Sequence, residues 1–279
     1  MRGLRGLTSF RMRLLPLFLL ITGLLSAARA AEPLVIGDTF TLESQVLGET
    51  RRINVYAPPG TLAAGQPPLP VLYMLDGGLA EDFLHVAGLV QIGAANGTMR
   101  PRLLVGIENT QRRRDLTPPT ESERDRQIAP VVGGAAAFRR FLREELMPAI
   151  RARYRVTEER AIVGESLAGL FVVDTLLSEP DLFDTYLAID PSLWWNDGKL
   201  LAAAPARLAA LKAEKKTLWL AAAEKDGNAR EAHEFAAQLT QSAPATLRWS
   251  FAPCADESHL TIFHPAALRA CREVLAPRE

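Results

Sequence analysis

The residue types able to do chemistry in this chain gather around Gly164-Glu165-Ser166-Leu167-Ala168-Gly169. The short apolar run before this stretch, residues 160–163 (RAIV), has the character of a strand. Residues 167–177 (LAGLFVVDTLL) have that of a buried helix. A serine between a strand and a helix, with small residues on both sides, sits on a strained turn. Small neighbours let the two elements pass closely while the hydroxyl projects from the bend. Such a hydroxyl becomes a nucleophile when a base lies within hydrogen-bond reach and an acid orients that base. The match departs from strict G-x-S-x-G, because Ala168 holds the fifth position and Gly169 follows. Small residues also suit any tight strand-to-helix turn, so the partners decide the chemistry.

Four histidines compete for the role of base. His85 and His233 fall within helical patterns, His233 beside Glu231 and Glu234, and read as ordinary helix side chains. His259 lies in a loop after the last strand, within Asp256-Glu257-Ser258-His259-Leu260. His264 lies five residues on, at the start of a closing helix that His264-Pro265 opens. His259 is therefore the expected base. For the acid, the strand at 217–222 is followed within a few residues by Glu224 and Asp226. The expected acid is Asp226, with Glu224 as the alternative. An oxyanion hole needs two backbone N–H groups aimed at developing negative charge. Leu167, following the serine, is one expected donor; the other is expected in the turn at Asp76-Gly77, where a missing side chain allows close approach.

The elements that must position these residues follow from periodicity. Alternation over 34–57, broken at Gly48, predicts an antiparallel hairpin. Continuous apolar runs at 70–75, 102–107, 185–189, 217–222 and 247–251 predict strands, the first of them buried on both faces. Helical patterns at 79–92, 135–154, 167–177, 199–215 and 229–239 separate them. Strands alternating with helices give a mostly parallel sheet with right-handed crossovers and helices on both faces. Residues 108–130 form a long polar segment, of a length that is usually functional or disordered. Ligands of such a sheet bind beyond the carboxyl ends of the strands. Asp76-Gly77-Gly78, Ser166, residues 190–195, Asp226 and His259 all fall at such ends, and the chain order is Ser…Asp/Glu…His, as in the α/β-hydrolases.

Composition bounds the remaining classes. Apolar residues make up 48% of 279 and charged residues 23%, an ordinary globular balance. Residues 1–30 differ: Arg2, Arg5, Arg11 and Arg13 precede the apolar run 14–25, and Ala28-Arg29-Ala30 supplies a small-residue cleavage site. This predicts a secretory signal peptide over 1–30 and a single catalytic domain over 31–279, in the periplasm. The segment carries five of the 32 basic residues and none of the 32 acidic ones, so the body is mildly acidic. That argues against nucleic acid as a partner. No other run reaches membrane length, and no Cys or His cluster has ligand spacing, so neither a membrane span after cleavage nor a metal or cofactor is expected. Cys254 and Cys271 are left open between a disulfide and two thiols.

With these residues in place, the chain resembles the putative-esterase family of α/β-hydrolases. The resemblance rests on residues 71–78 (VLYMLDGG), 106–119 (GIENTQRRRDLTPP), 164–171 (GESLAGLF), 190–196 (DPSLWWN) and 256–268 (DESHLTIFHPAAL). Within the family the likeness is to the periplasmic siderophore esterases of enterobactin, salmochelin and bacillibactin. It implies a serine esterase with Ser166 as nucleophile, His259 as base and Asp76-Gly77 at the oxyanion turn. It also implies Arg112 and Arg114 as an R-x-R-D element and Trp194-Trp195 as an aromatic pair beside the site, both touching substrate. Arg112, Arg113 and Arg114 would pair with the charge of a ferric tris-catecholate and stack on its rings. The expected partner is a small-molecule ester, handled by a monomer or weak dimer. A generic carboxylesterase or feruloyl-type esterase, an acyltransferase, and a non-catalytic binding protein on the same fold are the alternatives.

Overall fold

The computed structural model describes residues 31–212 and 215–277. The expected signal peptide over 1–30 lies outside the described residues. Chain contacts separate residues 1–35 from 36–279. Of the first unit, residues 31–35 carry neither helix nor strand.

The second unit is built on one eight-stranded sheet. The predicted hairpin is β1 (Asp38–Ser44) and β2 (Glu49–Tyr56), paired antiparallel around Gly48 at φ 67°. β3 (Leu69–Met74), β4 (Leu103–Ile107), β5 (Val156–Glu165), β6 (Thr185–Ile189), β7 (Lys216–Ala223) and β8 (Leu247–Cys254) follow. Their order is β1-β2-β4-β3-β5-β6-β7-β8, with every pair from β4 to β8 parallel. This is the α/β-hydrolase arrangement that the alternation of strands and helices predicted.

The apolar strand runs bury both faces because successive side chains point to opposite sides. Val71, Tyr73 and Leu75 enter one core, whereas Leu72 and Met74 enter the other. The first core is roofed by α4 (Ala135–Phe141), α6 (Leu167–Ser178) and α7 (Lys199–Ala209), with Phe235 and Leu239 of α8 (Ala229–Ser242). The second is covered by α1 (Phe83–Ala95) and α9 (Phe263–Val274). α4 runs through a π-turn at Leu142–Leu146 into α5 (Met147–Arg153), so the predicted 135–154 helix is continuous in the chain. The helix expected over 199–215 stops at Ala209.

The long polar segment 108–130 is ordered. It carries α2 (Arg112–Leu116) and α3 (Glu123–Ile128), and it is anchored from beneath. Arg51 of β2, 1% exposed, donates from Nη1 to Asp115 Oδ2 at 2.6 Å and lies over the rings of Phe138 and Phe141. Breaking one side of such a buried pair costs about 3–5 kcal/mol, because a charge is left alone in a dry place. The anchoring partners lie far away in sequence, so local composition gave no sign of them.

Candidate active site

β5 ends at Glu165 and α6 begins at Leu167, which leaves Ser166 alone in the bend at φ 59°, ψ −119°. A non-glycine residue holds such a conformation only when its surroundings over-determine it. Here Ser166 N–H donates to Ile189 O at 3.0 Å, and Ser192 N–H donates back to Ser166 O at 3.0 Å. The glycines at 164 and 169 make the bend possible. A Cβ on Gly164 would meet the Ala168 backbone at 2.7 Å, and one on Gly169 would meet Ile189 O at 2.9 Å.

Those bonds tie the serine to the turn after β6, which carries Asp190. Asp190, 0% exposed and at φ 42°, accepts at Oδ2 from His259 Nδ1 at 2.5 Å and at Oδ1 from Ala223 N–H at 3.0 Å. This corrects the expected acid. Asp226 is exposed, and its Oδ1 accepts the main-chain N–H of His259 at 2.6 Å, so it positions the histidine loop and leaves the ring to Asp190. Glu224, the alternative, is engaged with Nε2 of His233 at 2.7 Å. Both lie in the turn after β7, whereas Asp190 immediately follows β6, the strand paired directly with β5. The order Ser…Asp…His holds for Asp190 as well as for Asp226, and Asp190 was among the strand-end residues. The missing signal was burial.

Electrostatics follow this geometry. The Asp190 carboxylate raises the His259 pKa above its ordinary value against the opposing effect of burial, with Glu165 and Asp226 adding to the rise. Glu165, between Gly164 and the serine, is pushed up to about 7, mainly by burial, with Asp82, Asp190 and Asp76 adding negative charge nearby. The hydrogen-bond contact of Ser166 Oγ is Ser192 Oγ at 3.3 Å. Catalytic hydrogen bonds are often long or poorly aligned before substrate is bound and tighten in the substrate complex. His264 is occupied elsewhere, stacked on His85 with centroids 4.4 Å apart.

The oxyanion turn is corrected in part. Gly77 N–H donates to Ile107 O at 2.9 Å and is not available to an oxyanion. Its small size serves packing, since a Cβ there would lie 2.3 Å from Ile107 N. Asp76, at φ 55°, donates its N–H to no other atom among the described residues. Leu167 N–H, the first of α6, has no intrahelical acceptor. These two are the donors left for an oxyanion. Arg112 holds the first in place: Nε and Nη2 grip Asp76 Oδ1 and Oδ2 at 2.6 and 2.8 Å, and Asn109 Nδ2 donates to Oδ1 at 2.6 Å.

The expected substrate contacts separate. Arg114 is bonded to Glu49 and Asp115 and fixes the loop to β2, which contradicts a substrate role. Arg112 is committed to Asp76. Trp195, 1% exposed, donates Nε1–H to Pro118 O at 2.9 Å and is core. Trp194 is half-buried and lines a cleft of about 770 Å³, with Arg124 5.0 Å over its ring. Gly227 lines the same cleft, and a Cβ there would meet Asp190 Oδ2 at 2.7 Å and His259 Cβ at 3.2 Å, so this space adjoins the acid–base pair. Arg124 was hidden in the polar segment. Cys254 and Cys271 are free thiols, burial pushing that of Cys271 up to about 12.

A serine held in strain above a parallel sheet, with a neighbouring strand supplying a buried carboxylate for a histidine, is the design of a serine-type hydrolase of the α/β-hydrolase fold. The family profile described as "Putative esterase" matches residues 44–259, and the chain belongs to that family. It is a serine-type ester hydrolase. Its relatives include the ferri-bacillibactin esterase BesA of Bacillus subtilis, 32% identical over an alignment of 232 positions that covers 75% of this chain and 79% of the relative. The siderophore enterobactin esterase of Emericella nidulans is 36% identical over 111 residues, 35% of each chain. Among solved structures, the IroE-like serine hydrolase of Shewanella oneidensis superimposes with a TM-score of 0.76 at 30% identity, covering 86% of this chain and 80% of its own. Among the described residues no helix is long and apolar enough to cross a membrane.

Proposed function

We propose that this enzyme hydrolyses the ester linkages of a siderophore of the catecholate lactone type, such as enterobactin, through Ser166, His259 and Asp190. The observation that carries the mechanism is the 2.5 Å contact between His259 Nδ1 and the buried Asp190 carboxylate. It puts the ring proton on Nδ1 and leaves Nε2 free to accept. Ser166 Oγ attacks the ester carbonyl as its proton passes to Nε2, and the developing oxyanion takes the N–H groups of Asp76 and Leu167. The imidazolium returns the proton to the departing alkoxide. Water then attacks the acyl-enzyme by the same route, releasing the carboxylic acid and restoring Ser166.

The substrate class rests on the relatives named as bacillibactin and enterobactin esterases and on the cleft beside His259. Trp194 and Arg124 give that cleft an aromatic face and a cation suited to a catechol ring. A generic carboxylesterase is the second reading. It is favoured by the internal engagement of Arg112 and Arg114 and by Asp197, Glu231 and Glu234 on the cleft wall, which offset the cations there. We also propose export to the periplasm, with the mature chain starting after Ala30.

Incubation with ferric enterobactin and, in parallel, p-nitrophenyl butyrate tests the substrate. The catecholate reading expects linear dihydroxybenzoyl-serine products at a kcat/KM well above that for the simple ester, both lost in Ser166→Ala. Hydrolysis of the simple ester alone overturns it. Fractionation and N-terminal sequencing of the mature chain test export.

A further inference from the structure

Asn228 is the last residue before α8, a position where an asparagine side chain normally caps the helix by accepting a backbone N–H from the first turn. This one makes no cap bond. It is turned inward, 5% exposed, and its side-chain hydrogen bonds go to two other residues. Its Nδ2 donates to Asp190 O at 2.7 Å and to Asp190 Oδ2 at 3.3 Å. Its Oδ1 accepts Nε1–H of Trp194 at 2.8 Å. An amide has one end that donates and one that accepts, and here the two ends join the wall of the cleft to the acid that holds His259.

We propose that Asn228 is a positioning residue, linking Trp194 of the cleft wall to the orientation of Asp190 and through it to His259. This rests on the reading of Asp190, His259 and Ser166 as the catalytic group. Asp190 needs such support, because a non-glycine residue at φ 42° is held against its own preference. Its N–H is fixed to Ala221 O at 2.8 Å, and its carbonyl is fixed by Asn228. Releasing the carbonyl lets the turn relax and draws the carboxylate off the imidazole. Trp194 lines the cleft where a substrate ring would lie, so a shift of the indole on binding reaches the acid through two hydrogen bonds. Trp194→Phe keeps the ring and removes the donor.

The groups facing His259 are Asp190, Glu165 and Asp226, and none of them is changed by replacing Asn228. In Asn228→Ala, kcat on p-nitrophenyl acetate, an ester too small to depend on the cleft, falls about 10- to 100-fold with KM little changed. The acid limb of kcat/KM moves to lower pH, because an imidazole that loses its carboxylate is easier to deprotonate. Trp194→Phe gives a smaller loss in the same direction, and the two effects are not additive in the double variant. An acid limb that stays in place or moves up overturns the proposal, and so do additive effects. Should Asn228→Ala fail to fold, Asn228→Ser takes its place in the same cycle. Ser166→Ala is measured alongside: activity retained there refutes the catalytic group itself, whereas a dead Ser166→Ala with an additive cycle refutes only the link.

Discussion

Asp190→Asn tests the assignment of the acid most directly, and the structure dictates how the new amide must sit. Oδ1 of Asp190 receives the Ala223 N–H, a donor that only an oxygen can satisfy. The amide oxygen of the substituted side chain therefore keeps that place, and its NH₂ takes the place of Oδ2, facing His259 Nδ1. A donor there forces Nδ1 to accept, which moves the ring proton to Nε2 and disables the base towards Ser166. The new NH₂ also confronts Nδ2 of Asn228, 3.3 Å from Oδ2 in the native site. A trapped wrong tautomer lowers kcat about 10⁴-fold in a serine triad, or about 5.5 kcal/mol at 1.36 kcal/mol per decade. Asp226→Asn keeps an oxygen for the His259 main-chain N–H and is expected to stay within about 3-fold of the native rate. The assay is kcat/KM on p-nitrophenyl butyrate across pH, with the melting temperature as fold control. A folded Asp190→Asn with more than a tenth of native activity, or an Asp226→Asn that loses more than Asp190→Asn, refutes the reasoning.

Arg112 and Arg114 should part company. Arg112→Ala frees Asp76 and its N–H, lowering kcat about 10- to 100-fold with KM nearly constant. Arg114→Ala instead loses about 1.5–3 kcal/mol of stability, read in urea, with kinetics unchanged. Gly77→Ala drives a methyl to 2.3 Å from Ile107 N and should destabilise by about 3 kcal/mol or more by thermal melt. Glu165 has a folded pKa of about 7, above its unfolded value, so the fold binds the extra proton and loses stability as pH rises from the unfolded value through 7. Glu165→Gln removes that slope: its melting temperature gains on the native protein across this range, and equal slopes would refute the assignment.

The strands were readable because their signal is local: β6 matches its expected bounds, and the others differ by a few residues at most, apart from longer ends on β5 and β8. The serine bend was readable for the same reason, since Gly164, Ala168 and Gly169 report a close approach at one point. The acid was not, because three carboxylates at strand ends satisfy the same order, and only their depth in the fold distinguishes Asp190. The arginines misled in a related way. Arg114 looks free until Glu49, 65 positions away, is brought beside it, and Arg112 until Asp76 is. Trp195 and Trp194 are adjacent in sequence yet part at the surface, one into the core and one into the cleft.

Asp190 follows directly on β6 and Ser166 directly on β5, and these two strands pair side by side, about 4.8 Å apart in the hydrogen-bonding direction. The exposed residues 224–227 of the connection from β7 to α8 carry no atom of Ser166, His259 or Asp190, and Asp226 among them holds only the His259 main-chain amide. A lineage could therefore remodel Glu224, Lys225 and Asp226 to admit bulkier or differently charged esters without disturbing the machinery of acyl transfer, provided Asn228 keeps its place. Substrate preference and chemical competence are in this way assigned to different parts of the chain.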